Sequence, residues 1–551
     1  MKSKSKKKRP ARQAADINNK GAVRALVAEL TPKRLLLLAA TAAMLVLAFP
    51  SAGLFPLVWV ALVPLFWVIY EGRPEYAFAF GFLCQFAAKI GTLYWLVYTM
   101  NYFGHISLLP SILILLLLVS FLGSFYGLAC MAIVRLSRQG KWPLALIAPA
   151  AWIAAEWIQG WFFTGFPWAY LGYAPYRWLT AVQAADLLGV WGLTVLAVLV
   201  NVAIFEMIRF ALKKRPTFPW AVAPAAALLF AGSLIYGHFR LAQVQEAQAV
   251  APAIRVGVVQ GNVPQDEKWT PQFKMKAVGI YLDLIARASE QGAALVLTPE
   301  TSIPLWVDRG VGVRKNMQRL ATESGVHVLM GCPSYTREGQ DEEHDVNFNS
   351  AVLMGPEGQD LGWYDKNHLV PFGEYIPYKE DLRKLLGSLV HGTGDFHSSG
   401  KINLMNYPPA PFGVLICYEA IFPNLARRIA NLGSGAAFFA NITNDAWFGD
   451  TSAPHQHLMM VAMRAIENRL YVARAANTGI SSFIDATGKI LYESPVFKTT
   501  SYVDEVRIMK IGSVYRVVGD VVVWASLALL AVAAVAVVIA NRRARRGRIE
   551  K

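Results

Sequence analysis

The sequence predicts a multi-span α-helical membrane bundle joined to one α/β layered domain. Three observations predict it. Hydrophobic residues make up 55% of the 551 residues and charged residues only 16%, against about 25% charged in ordinary soluble domains. Apolar runs crowd the first 240 positions and recur once near the end, from Val521 to Ala540. Between them, from Ile254 onward, short apolar runs alternate with helical stretches.

The bundle comes first. Seven apolar segments, at about 35–49, 54–70, 77–98, 107–134, 143–158, 180–208 and 219–237, precede residue 241. Several approach the roughly 20 apolar residues that a spanning helix needs. The first is short and follows a basic tail, the pattern of a cleaved signal peptide. The immediate arrival of further apolar segments favours an uncleaved first span.

Charge placement gives the orientation. The formal charge is +16, from 53 Lys+Arg and 37 Asp+Glu; 25 of those bases and 29 of those acids lie between Leu241 and Asp520. The basic excess therefore travels with the apolar segments, where it reads as topology information and contact with anionic lipid rather than nucleic-acid binding. The tail Lys2–Arg9 by itself has the density of a targeting or nucleic-acid patch. Lys2–Arg9 precedes the first span, and Arg73, the group Arg135, Arg138 and Lys141, the group Arg209 and Lys213–Arg215, and the group Arg542–Arg548 follow the second, fourth, sixth and eighth. The loops of opposite parity, 101–107 and 159–178, contain only Arg177. The basic clusters thus share the cytoplasmic side. The expected units are a basic tail over 1–34, a membrane bundle of about seven helices over 35–240, an extracytoplasmic domain over 241–518, a C-terminal transmembrane helix over 519–541 and a basic tail over 542–551.

The loop Gly160–Tyr176 reads GWFFTGFPWAYLGYAPY. It is either an aromatic belt at the membrane interface or the lining of a lipid-sized pocket, and the two are compatible.

In the domain, strands are expected at Arg255–Gln260, Ala294–Thr298, His327–Cys332, Asn349–Met354, Phe412–Cys417, Ala436–Ile442 and Ser482–Asp485. Helices are expected at Gln272–Glu290, Arg314–Glu323, Phe422–Leu432 and His455–Leu470. Near-continuous apolar strands such as GVLIC (413–417) and AAFFAN (436–441) belong to a sheet buried on both faces. Glu338–Asp345 reads as a solvated loop. Cys84 and Cys130 sit in apolar runs as small buried thiols. Cys332 reads as a structural strand residue. No disulfide, metal site or cofactor is expected from the cysteine and histidine spacing.

Three places put a reactive side chain at the end of an expected strand or in an irregular segment. Glu300 follows the strand of Leu295-Val-Leu-Thr-Pro-Glu300. Partial desolvation there suits a general base, although a turn or capping carboxylate reads the same way. Lys366 and Glu374 lie in YDKNHLVPFGEYIP (364–377), too rich in Pro and Gly for regular structure. Lys366 is either a surface charge or a fixed cation that stabilises an oxyanion. Cys417 ends GVLIC and precedes a turn into a helix. A strand-end cysteine is commonly structural, and it becomes a nucleophile only where a base or cation activates it.

In order, Glu300, Lys366 and Cys417 resemble the nitrilase superfamily. With VVQGNVPQDEKW (258–269), LTPETSIP (297–304), YDK-H-VPFGEYIP, ICYE, NDAWFGD (444–450) and HQHLMMVAMRAIENR (455–469), plus seven preceding spans and one following, the chain resembles that superfamily's membrane-anchored branch, the apolipoprotein N-acyltransferases. The resemblance implies an αββα sandwich, Cys417 as nucleophile, Glu300 as general base and Lys366 as oxyanion stabiliser. It further implies supporting roles for Glu374, Tyr418 and Glu419, and a place for Trp269 near the substrate entrance. The implied partners are a phospholipid acyl donor and a diacylglyceryl apolipoprotein acceptor. The implied location is the bacterial inner membrane, with the domain on the periplasmic side.

Two rivals have distinct signatures. A membrane-tethered amidase would use the same three residues but needs no lipid-facing mouth. A multispan transporter needs ionisable groups within its spans, and Lys89 and Glu156 are the main ones present.

Overall fold

A computed structural model describes residues 25–306, 311–336, 346–377 and 396–549. The basic run Lys2–Arg9 and the expected loop Glu338–Asp345 lie outside the described residues.

The bundle contains α1 (Pro32–Ala48), α2 (Val63–Glu71), α3 (Ala77–Leu93), α4 (Leu108–Ile133), α5 (Leu144–Gln159), α6 (Ala185–Ala211) and α7 (Val222–Val250). Every expected span has a helical counterpart. By length and apolarity, five helical stretches among the described residues suffice to cross a membrane: Pro74–Leu93, Leu108–Gln139, Ala185–Ala211, Val222–Val250 and Val521–Ala544. The others are shorter. The expected span at 54–70 is broken into a 3-10 turn, Phe55–Trp59, and α2. Pro56 and Pro64 cannot donate to a continuous helix. Asn201 of α6 repairs the break: its Nδ2 donates to Val58 O (2.9 Å), and its Oδ1 accepts from Leu62 N (2.8 Å). Irregular backbone at membrane depth needs such a partner. Helices α3 and α4 pack closely because Gly81 is small: a Cβ there would lie 2.6 Å from Cys130 Sγ.

Helix α7 does not stop near 237. It continues to Val250 through the polar turns RLAQVQEAQ and delivers the chain to the first strand three residues later. Gln, Glu and Ala are good helix formers, and Gln248 Nε2 donates to Tyr471 Oη at 3.0 Å, so the last turns dock on the domain.

The domain runs β1 (Ala253–Gln260), α8 (Pro271–Glu290), β2 (Leu295–Leu297), α9 (Val311–Ser324), β3 (His327–Thr336), β4 (Val346–Met354), β5 (Asp360–Asp365), β6 (Leu404–Met405), β7 (Phe412–Ile416), α10 (Pro423–Ala430), β8 (Phe438–Thr443), α11 (Ala453–Asn468), β9 (Tyr471–Ala476), β10 (Ser482–Ile484), β11 (Ile490–Glu493) and β12 (Thr500–Arg507). Helix α12 (Val521–Ile549) returns to the bundle. Two six-stranded sheets have the orders β12-β1-β2-β3-β4-β5 and β11-β10-β9-β8-β7-β6. In each, three parallel strands are flanked by antiparallel ones: β1, β2 and β3 in the first, β7, β8 and β9 in the second. The inner faces share one apolar core, Val256, Leu295 and Leu329 meeting Val414, Phe438 and Val472. The outer face of the first sheet packs on α8 and α9 through Tyr281, Ile285, Met317 and Val328. This is the αββα sandwich.

Helix α11 fills the outer layer of the second sheet and lies against α6 of the bundle. All its residues but His455 are buried. Its charged groups are therefore paired across the junction. Arg464 Nη2 donates to Tyr173 Oη (3.0 Å), and Glu467 Oε1 accepts from Val190 N (3.0 Å). Just past the helix, Arg469 Nε donates to Asp186 Oδ2 (3.0 Å). At the far end of the bundle, Arg138 Nη1 reaches Gly72 O (2.6 Å), Lys214 pairs with Glu71 (2.6 Å) and Arg73 with Glu29 (3.0 Å). The basic groups thus gather at the end away from the sandwich.

Candidate active site

Glu300 stands where β2 ends and crosses over β3. The backbones touch there: a Cβ on Gly331 would lie 2.3 Å from Pro299 O. The Glu300 carboxylate is buried. Its Oε1 accepts from Asn349 Nδ2 (2.7 Å) and Lys366 Nζ (3.1 Å), and its Oε2 from the main-chain N–H of Asn444 (2.9 Å).

Lys366 follows β5 directly. The sequence reading took its whole neighbourhood as irregular, but Asp360–Asp365 pairs with β4, and Lys366 N extends that pairing by donating to Asn349 O (2.8 Å). The aromatic residues Trp363 and Tyr364 suit a strand beside β4, and within 364–377 the Pro and Gly begin only at Pro371. The ammonium is 0% exposed and lies between two carboxylates, 3.1 Å from Glu300 Oε1 and 2.9 Å from Glu374 Oε2. Glu374 is held by Asn349 Nδ2 (2.6 Å) and Val370 N (2.7 Å).

Cys417 is the first residue after β7 and opens a 3-10 turn, Cys417–Ile421. Its φ is +49°, a left-handed conformation uncommon for a residue with a Cβ. Glu419 binds both sides of this corner. Its Oε2 accepts from Ile416 N (2.8 Å), and its Oε1 from Asn367 N (2.7 Å), His368 N (3.3 Å) and Tyr364 Oη (3.0 Å). One buried carboxylate therefore links the Cys417 turn to the segment carrying Lys366.

The charge states follow from these neighbours. Burial pushes the Glu300 carboxyl up, but the Lys366 charge and hydrogen bonds from Asn349, Lys366 and the Cys417 thiol outweigh it and leave the pKa below the ordinary value. Burial pushes Lys366 down, and the Glu300 and Glu374 carboxylates override it, leaving its pKa well above the lysine range. Burial and the Glu300 charge push the Cys417 thiol well up. The resting constellation is a thiol, a carboxylate that can take its proton and a permanent cation beside both.

Trp269 stands apart. It is 40% exposed, with the Lys274 ammonium 5.8 Å from its ring. Among the described residues no hydrogen bond or ring contact joins it to Glu300, Lys366 or Cys417. Its neighbour Lys268 was missed by sequence reading. It is buried, with Nζ 2.5 Å from Thr301 Oγ1 and 3.4 Å from Glu300 O. Burial lowers its pKa to about 7, with the Glu300 charge opposing. Asn349 and Asn444, also missed, differ from ordinary strand and turn residues only in what they face.

Tyr418 reaches out of the domain. Its hydroxyl donates to Gly165 O in the loop between α5 and α6 (2.8 Å), and His368 Nε2 donates to Thr164 O (2.8 Å). The aromatic loop is split in two. Trp161, Phe162 and Phe163 are exposed, while Trp168, Tyr170 and Tyr173 are buried beneath the sandwich.

The Carbon-nitrogen hydrolase model matches residues 255–513, and the Apolipoprotein N-acyltransferase N-terminal domain model matches residues 41–203. An apolipoprotein N-acyltransferase of Geobacter metallireducens is 37% identical over 493 residues, covering 89% of this chain and 92% of the relative. The chain belongs to the apolipoprotein N-acyltransferase family. A second member, from Methylococcus capsulatus, is 32% identical, covering 92% of this chain and 96% of the relative. Among solved structures, an amidase from Nesterenkonia sp. AN1 aligns with 47% of this chain and 93% of its own, at 22% identity and a TM-score of 0.35. Apolipoprotein N-acyltransferase membership and the apolar helices together make this a multi-pass protein of the bacterial inner membrane. Cys84, Cys130, Cys332 and Cys417 are all buried. Among the described residues, no group of three His, Cys, Asp or Glu is placed to hold a metal ion.

Proposed function

We propose that this protein transfers a fatty acyl chain from a membrane phospholipid, through a Cys417 thioester, to the α-amino group of the N-terminal diacylglyceryl-cysteine of apolipoproteins. The observation that carries it is the Glu300–Lys366–Cys417 constellation held against the aromatic loop of a membrane bundle. Glu300 takes the Cys417 proton as the sulfur attacks the ester carbonyl, and Lys366 stabilises the developing oxyanion. Collapse breaks the ester bond, and the lysophospholipid oxygen leaves with the proton held by Glu300. In the second half, the acceptor's neutral amine attacks the thioester and Glu300 takes one of its protons. The intermediate then breaks to an amide, and the proton returns to the departing sulfur. The two lipids use one site in turn, which gives ping-pong kinetics.

Glu374 shares Lys366 with Glu300 and so fixes the ammonium. Glu419 sets the corner at Cys417, Tyr418 ties it to the membrane loop, and Trp269 lies at the substrate entrance. Periplasmic placement of residues 241–518 fits the gathering of basic groups at the opposite end. Hydrolysis of small amides is the less favoured activity, since it gives no use to exposed Trp161, Phe162 and Phe163.

The test supplies phospholipid without acceptor. Intact mass should show an acyl adduct on Cys417, released by neutral hydroxylamine. A diacylglyceryl peptide with a free amine should discharge it as an N-acyl peptide, and an acetylated peptide should not. Acylation in Cys417→Ala would overturn the assignment, and discharge by water alone would favour the amidase.

A further inference from the structure

The left-handed conformation of Cys417 needs something to hold it, since a β-carbon disfavours that region. Glu419 secures the N–H before the corner. What secures Cys417's own carbonyl comes from α11. His457 is buried there, and its Nε2 lies 3.2 Å from Cys417 O. A carbonyl only accepts, so Nε2 carries the hydrogen.

The other side of the ring is equally constrained. Nδ1 lies 3.2 Å from Arg474 Nη2 and 3.1 Å from Asp445 Oδ1. Arg474 is wholly buried in β9. Its Nη2 also donates to Asp445 Oδ2 (2.5 Å), and its Nη1 donates to Asn441. Thr443 Oγ1 donates to Asp445 Oδ1 (2.8 Å). With Nε2 donating, Nδ1 of a neutral ring accepts from Arg474. Burial and the Arg474 charge hold His457 in that neutral form. The rings of Trp168, from the membrane loop, and Phe448 flank it at 6.0 and 6.2 Å.

We infer that His457 is a positioning residue: its Nε2–H holds the Cys417 carbonyl, and thereby the left-handed corner that keeps the thiol beside Glu300 and Lys366. Arg474, itself held by the Asp445 carboxylate, fixes the ring for that task. The inference rests on Cys417 being the acylated residue, and it adds a group that touches neither lipid.

The test compares His457→Met with His457→Gln, close in size but only one with a donor. Two rates are read: alkylation of Cys417 by iodoacetamide, and thioester formation at saturating phospholipid. His457→Met should lower both by about 10- to 100-fold, as expected for losing a buried hydrogen bond that sets geometry, while the KM for phospholipid stays within about twofold. His457→Gln should recover most of both rates, because its amide can reach the carbonyl. Should His457→Met fail to fold, His457→Asn replaces it, being polar but one methylene too short. Equal rates in donor and non-donor variants would overturn the inference, and so would near-normal rates in His457→Met. If wild-type Cys417 alkylates readily but takes no acyl group from phospholipid, the acyltransferase chemistry fails, and the alkylation rates still decide the role of His457.

Discussion

The hydroxyl of Tyr418 donates to the main-chain oxygen of Gly165 across 2.8 Å. The residue after Cys417 is thereby bonded to the loop that joins two membrane helices. With the His368–Thr164 contact beside it, the bond makes the corner at Cys417 depend on the bundle. Tyr418→Phe keeps the ring against Phe166 but removes the donor. Turnover should fall about 3- to 10-fold, the size of one net hydrogen bond. Expression and membrane insertion should be unchanged. Steady-state transfer in detergent, beside a quantitative immunoblot, checks it.

Lys366→Met should keep the fold and lose the acylation step. A cation that meets charge in the transition state affects rate more than lipid affinity. The expected loss is about 100-fold or more, with phospholipid binding retained. The variant also leaves Glu300 and Glu374 facing one another with only Asn349 between them, so one carboxylate should take a proton. Lys366→Arg should not rescue, because a planar fork does not fit the place of a compact ammonium. Single-turnover acylation with a binding assay separates the two effects.

The pH dependence should differ between the half-reactions. Glu300 sits below the carboxylate range, and Lys366 and Cys417 sit above theirs, so none of the three titrates between pH 5 and pH 9. Lys268 does, near pH 7. Its deprotonation removes a positive charge beside Glu300, makes that base stronger, and should raise the thioester-forming rate modestly as pH increases through 7. In Lys268→Met that rise should be lost, leaving only the change from Glu419, whose carboxyl is pushed up by burial to about 7. Discharge by the peptide amine should rise further up to about pH 8, following the α-amino pKa of about 7.7–8.0. Stopped-time acylation and discharge across pH 5–9 read both.

Within the bundle, Glu156 of α5 is buried and accepts from Leu171 N (2.7 Å) and Thr194 Oγ1 (2.9 Å). It anchors the buried half of the aromatic loop from below. Glu156→Ala leaves a buried N–H without an acceptor, which costs about 1–3 kcal/mol. It should lower the melting temperature in detergent, and turnover should fall with it. Glu156→Gln retains a carbonyl acceptor and should fall between. Thermal unfolding of both variants checks the order.

For topology, Glu357→Cys places a thiol on the exposed turn between β4 and β5. The four native cysteines are buried, so background labelling should be low. An impermeant maleimide should label it in intact spheroplasts. Labelling only after lysis would place the sandwich in the cytoplasm.

Much of this was legible in the chain itself. Period and composition determined the apolar segments and the alternating strands and helices, because burial in lipid or between sheets demands apolar runs whatever their partners. The strand β9 was not legible. YVARAA carries an arginine at its centre and follows a helical pattern with no break, and only the junction shows Arg474 satisfied by Asn441 and Asp445. The order of Glu300, Lys366 and Cys417 could be read, but not that one ammonium would lie between two carboxylates. Those residues are 66 and 8 positions apart along the chain, and local propensity carries nothing over such separations. Lys268, Asn444 and His457 lie inside motifs that carry the resemblance, but like Asn349 they are of ordinary types that announce no role. What distinguishes them is the atom each faces, set when two sheets and a membrane loop close on one another. Tertiary structure alone decided that the aromatic loop serves both solvents, its first half exposed and its second half packed beneath the domain.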